Sequence, residues 1–146
     1  MASTDPTKDY AGDLSVTEAW ALLQSDPRAQ LVDVRTSAEW SFVGLPDLSS
    51  LGREALLVEW QSFPTMRPNP SFVDDTARAG VGAKDAPVLF LCRSGARSRS
   101  AAIAITAAGY SRAYNIAGGF EGDLDGERHR GQQNGWKASG LPWKQS

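Results

Sequence analysis

"VLFLCRSGARSRSAA", Val88–Ala102, decides the architecture of the chain. Four apolar residues run straight into Cys92, the only cysteine. Three arginines follow within seven positions, spaced by Ser, Gly and Ala, and then an apolar helical pattern begins. A short apolar run followed by a small-residue loop and a helix is the signature of a buried strand that feeds a crossover. In an open α/β sheet, ligands bind beyond the carboxyl ends of such strands, and Cys92 falls at that end.

Outward from this stretch the same alternation repeats. "LSVTEAWALLQSDP" predicts a helix: Ser15 and Glu18 make a capping-box pattern, apolar residues recur at near-helical spacing, and Pro27 lies just past the end. "QLVDV", 30–34, predicts a buried strand, and Thr36 with Glu39 repeats the capping pattern directly after it. Residues 44–70 are rich in turns, with "ALLVEW", 55–60, as a strand between them. Asn69 and Pro70 suit an N-cap and first helical position for a helix that ends at Gly80. Further strands are predicted at 87–91 and 113–117, with a helix between them that ends at Gly109. Strand and helix in alternation argue for an α/β fold with a mainly parallel sheet. Residues 1–9 are expected to be a loosely ordered segment and 10–146 one domain.

Composition excludes several functions. The 146 residues carry a net charge of −2, which argues against a dedicated nucleic-acid binder. No segment is long and apolar enough to span a bilayer, and "MASTDPTKDYAGD" lacks the apolar core of a secretory signal, so a cytoplasmic location is expected, without membrane association. A single cysteine forbids an intrachain disulfide. With His129 as the one histidine, no zinc site of the usual sort can form, and neither metal nor cofactor is expected. His129 has no recognisable partner spacing and reads as a surface residue. Trp60, Phe63, Met66 and Phe72 could line a contact between copies of the chain but better suit covering its own core; the oligomeric state stays open.

The loop after Cys92 carries the chemistry. Gly95 permits unusual dihedrals, so successive backbone N–H groups can point into one concavity. The following helix adds its positive end, and Arg93 and Arg97 add full charges. Such a cradle favours an anion, either the thiolate or an oxyanionic substrate. An ordinary cysteine is only about 3% thiolate at neutral pH, so an anion-favouring cradle is what supplies a reactive sulfur. Arg99 reads as surface.

At this point the chain resembles a single-domain rhodanese. The resemblance is carried by "LVDVRTSAEW", "PVLFLCRSGARSRSAA", "AYNIAGGFEGDL" and "GWKASGLPW", in family order over most of residues 10–143. It implies a central, mainly parallel five-stranded sheet with helices on both faces. It implies a sulfurtransferase that moves a sulfane sulfur from a small anionic donor such as thiosulfate to an external thiol or cyanide. Cys92 is then the persulfide carrier, and Arg93, Ser94, Gly95, Ala96, Arg97 and Ser98 form the cradle. Asp33 and Arg35 match the family's D-V-R and are expected to support the loop, with Glu39 a candidate partner for Arg35. Two stretches exceed the family pattern, 44–70 and "FEGDLDGERHRGQQNG" before Trp136, and both could form walls of the mouth. Two other functions compete. A cysteine phosphatase or arsenate reductase resembles C-x5-R, whereas here the arginine stands five positions after the cysteine and Ser98 six. A non-enzymatic rhodanese-like binding module commonly lacks the cysteine that this chain keeps.

Overall fold

The computed structural model describes residues 9–62, 67–93, 95–122, 135–137 and 139–144. Their elements run in the order β1 (Gly12–Leu14), α1 (Val16–Ser25), β2 (Gln30–Asp33), α2 (Ser37–Phe42), β3 (Leu45–Pro46), a 3-10 turn (Ser49–Leu51), β4 (Leu56–Leu57), β5 (Gln61–Ser62), β6 (Arg67–Pro68), α3 (Phe72–Ala79), β7 (Val88–Leu91), α4 (Ala96–Ala107), β8 (Ala113–Ile116) and β9 (Trp143–Lys144). β1, β8, β7, β2 and β4 form one sheet in that spatial order, and every pairing in it is parallel. The cysteine strand β7 lies at the centre, where a run of apolar residues buried on both faces belongs.

Alternation along the strands divides the core into two layers. Leu31, Leu89, Leu91 and Ile116 pack toward α1 with Val16, Ala19 and Leu23. Val32, Val88, Phe90 and Ala113 pack on the other face with Phe72 of α3 and Ala101, Ala102 and Ile105 of α4. Helices therefore cover both faces. Both capping boxes are formed. The Ser15 and Thr36 side chains accept from the N3 backbone N–H, while Glu18 and Glu39 accept from the N-cap backbone.

The structure departs from the sequence expectations at three elements. The fifth strand is β1, a three-residue edge within a polar N-terminal stretch, and its existence depends on β8 as a partner. The strand expected over 55–60 is regular only at Leu56–Leu57, although Val58 and Trp60 still donate their N–H groups to Asp33 and Val34 carbonyls. α3 begins at Phe72 after an N-cap at Ser71; Asn69 instead uses its Oδ1 to accept from the Ser71 N–H and its Nδ2 to donate to the Glu59 carbonyl and to Asp75 Oδ2. Trp60 meets Phe72 edge-on at 5.0 Å, so these two aromatics cover the chain's own core. Phe63, Met66 and His129 lie outside the described residues. At the far end of the sequence, Trp136 is fully buried against Trp20, and β9 pairs antiparallel with β3.

Candidate active site

β7 delivers Cys92 to the carboxyl edge of the sheet, and α4 starts four residues later. The turn between them depends on Gly95. Its φ of +120° is strained for any side-chain-bearing residue, while the nearest atoms to a Cβ there would stand at an ordinary 3.8 Å. Conformation, not space, therefore requires the glycine. In this geometry the Gly95 N–H donates to Cys92 Sγ at 3.0 Å. Gly95 is the N-cap of α4 and, among the described residues, no side chain caps that helix, so the sulfur sits at its positive end. Ser98, one turn into the helix and fully buried, places its Oγ 3.3 Å from the sulfur. Cys92 itself is 1% exposed.

The turn after β8 supports the cysteine from below. Phe120 N–H donates to the Cys92 carbonyl at 2.8 Å, and the N–H groups of Glu121 and Gly122 donate to the Arg93 carbonyl at 3.0 and 3.2 Å. Gly119 makes this approach feasible, since a Cβ there would stand 2.5 Å from the Cys92 oxygen and 2.6 Å from the Arg93 oxygen.

Two arginines are fastened by two carboxylates. Arg35 grips Asp33 through Nε and Nη2, the shortest contact being 2.6 Å, and both side chains are fully buried. Nη2 also donates to the Gly44 carbonyl, and the guanidinium lies 4.3 Å from the Phe120 ring centre. Arg97 meets Glu39 of α2 as a two-pronged fork, Nη1 to Oε1 at 2.7 Å and Nη2 to Oε2 at 2.9 Å. Glu39 is thus the hydrogen-bonded partner of Arg97, not of Arg35 as the sequence suggested. Arg35 prefers Asp33 because alternation puts residues two apart on the same side of an extended chain. Burial pushes the Glu39 carboxyl up, but the Arg97 hydrogen bonds and charge outweigh it and hold it below the ordinary value; Glu39 in turn raises Arg97 above its own.

Of the loop residues singled out from sequence, Cys92, Gly95 and Ser98 converge on one buried point, Arg97 stands beside it with its fork committed to Glu39, and Arg93 and Ala96 are exposed. Ser94 lies outside the described residues. Arg99 is exposed, as expected. Sequence reasoning missed Asn115 and Asp13. Asn115 Oδ1 is 2.5 Å from Ser98 Oγ, and its Nδ2 donates to Asp13 Oδ1 at 2.9 Å. Asp13 Oδ1 also accepts from the Tyr10 hydroxyl at 2.8 Å. The signal was a polar residue in an otherwise apolar strand: Asn in "AYNIA" has to find partners once buried.

Comparison with known proteins agrees with this geometry. Residues 11–146 match the family described as STR4 middle domain. The crystal structure of Rv0390 from M. tuberculosis aligns with a TM-score of 0.86 and 52% identity, covering 94% of this chain and 99% of that one. An uncharacterized protein of Rickettsia rickettsii is 41% identical over 128 residues, 88% of this chain and 93% of its own length. Thiosulfate sulfurtransferase GlpE of Actinobacillus succinogenes is 27% identical over 130 residues, 89% of this chain and 87% of the enzyme. With a cysteine loop at the end of the central strand of a five-stranded parallel sheet, the chain belongs to the STR4 middle-domain family and is a rhodanese-like protein.

Proposed function

We propose that the chain is a sulfurtransferase that carries sulfur as a persulfide on Cys92. The Cys92 thiolate attacks the outer sulfur of thiosulfate. The S–S bond of the donor breaks, sulfite leaves with its electron pair, and Cys92 holds the transferred sulfur as a persulfide anion. Cyanide or an external thiolate then attacks that outer sulfur, and Cys92 departs as thiolate. No second cysteine is present to resolve the persulfide internally, so the acceptor comes from outside; a cytoplasmic setting, rich in small thiols, suits this.

One observation carries this proposal: the only thiol is fixed by a backbone N–H at the positive end of α4, a position that stabilises sulfur-centred negative charge. The two loop arginines take different roles. With both terminal nitrogens of Arg97 on Glu39, the exposed Arg93 is the cation that meets the incoming dianion, and Arg97 shapes the loop.

Intact mass tests the proposal. Incubation with thiosulfate adds one sulfur atom, cyanide removes it, and Cys92→Ser never acquires it. Arg93→Ala weakens thiosulfate use about tenfold, with Arg93→Lys recovering part of it. Aryl-phosphate hydrolysis without sulfur loading would move the assignment to the phosphatase class.

A further inference from the structure

The Ser98 hydroxyl has one proton and two neighbours that can take it: Cys92 Sγ at 3.3 Å and Asn115 Oδ1 at 2.5 Å. The orientation of the Asn115 amide follows from chemistry. Asp13 faces Asn115 in register across the parallel β1–β8 pair, and an ionised carboxylate accepts hydrogen bonds but donates none. The NH2 group therefore points to Asp13, which leaves the amide oxygen facing Ser98. An amide oxygen also only accepts, so the Ser98 proton goes to Asn115 over the shorter distance. Burial, then the hydrogen bond and charge of Asp13, raise the Tyr10 phenol above its ordinary value, so Tyr10 remains a donor to the same carboxylate at neutral pH; the charge of Arg99 pulls Tyr10 the other way.

We propose that Asp13 and Asn115 are positioning residues that withhold the Ser98 proton from the Cys92 sulfur, and that Ser98 supports the sulfur only when that proton is released. The two polar neighbours of the sulfur then differ in kind. The Gly95 N–H is fixed by the backbone and always donates. Ser98 turns a lone pair toward the sulfur while Asn115 holds its proton, and it becomes a second donor when the hydroxyl rotates. Neither Arg93 nor Arg97 is a member of this chain of bonds. Arg97 is held by Glu39, and Arg93 is exposed. The restraint can therefore be lifted without disturbing them. The inference concerns the thiol to which sulfur transfer is assigned and rests on that assignment only for its catalytic consequence.

The test reads the sulfur directly, in the full chain at neutral pH. Asp13 is exposed, so Asp13→Ala spares the core. It lets the Asn115 amide turn over, so that NH2 donates to Ser98 Oγ and the Ser98 proton goes to sulfur. Asn115→Leu removes the acceptor outright. Both variants are expected to raise the rate of Cys92 alkylation by iodoacetamide roughly three- to tenfold, with the ultraviolet absorbance of the thiolate rising in step. Adding Ser98→Ala to either removes the gain. Wild-type rates in both single variants overturn the proposal. So does a gain that survives Ser98→Ala, because it reports a loosened fold around a buried thiol. Thiosulfate loading is followed on the same proteins. Failure of the wild type to load, with the alkylation pattern intact, counts against sulfur transfer and leaves the positioning role standing.

Discussion

The two arginine–carboxylate pairs beside the cysteine differ in depth and in reach. Asp33–Arg35 joins residues two apart and is wholly buried, at the end of β2 on the α1 face of the sheet. Glu39–Arg97 joins residues 58 apart, and its side chains are 17–20% exposed. The first pair is part of the strand's end and fixes where β2 hands over to α2. The second spans from α2 to the first turn of α4 and sets the distance between the loops after β2 and β7. A buried pair is costly to break, because the surviving partner keeps its charge without compensation, whereas a partly exposed pair can fall back on water.

That contrast is broken most sharply at Arg35. Arg35→Met leaves the Asp33 carboxylate buried and unpaired, and is expected to cost about 3–5 kcal/mol in chemical denaturation. Asp33→Leu added to it should recover much of the loss, because an apolar pair of similar volume has no charge to desolvate. No recovery in the double variant would mean that the contact with the Gly44 carbonyl outweighs the ion pair. The next effect is at Arg97. Arg97→Ala is expected to cost only about 1–2 kcal/mol of stability. It should lower sulfur loading by Cys92 about tenfold, with Glu39→Gln having a smaller effect in the same direction. A loading rate that falls far more than stability would show that the fork also touches the donor.

Acid sharpens the difference further. Because Arg97 holds the Glu39 carboxyl below the ordinary glutamate value, the contribution of Glu39 is fully present above that ordinary value. It is lost as pH falls through the lower, folded-state value. The thermal midpoint of the wild type should therefore fall toward that of Glu39→Gln only in acid, below the ordinary range of a glutamate. Convergence near neutrality would contradict the ion pair. The smallest effect is the control: Arg28 and Asp85 meet at 3.3 Å with side chains 53% and 76% exposed, and Arg28→Ala should change stability by no more than about 0.5 kcal/mol.

The same contrast explains what was legible in the sequence. The central strand, both capping boxes, α4 and the position of Cys92 are written in local patterns of burial and hydrogen bonding, so they could be read directly. Asp33 and Arg35 stand two apart in a motif and read as support for the loop, but the partner read for Arg35 was Glu39, not Asp33. Glu39 with Arg97, Asp13 with Asn115, and Asn115 with Ser98 are meetings across 58, 102 and 17 residues that only the strand order produces. β1 illustrates the point. Three residues, "GDL", carry no strand pattern of their own, and they become a strand only because β8 offers an unpaired edge.

Gly119 has a consequence for the approach of a charged molecule. By letting the turn after β8 press against the cysteine, it allows three N–H groups to cover the Cys92 and Arg93 carbonyl oxygens. Each peptide unit is a small dipole, and a loop that exposes N–H groups on one side must dispose of oxygens on the other. Here the oxygens are occupied and shielded underneath. The negative ends of the Cys92 and Arg93 peptides, which would repel an anion, are therefore compensated by the turn after β8. That compensation is built in before any ligand arrives.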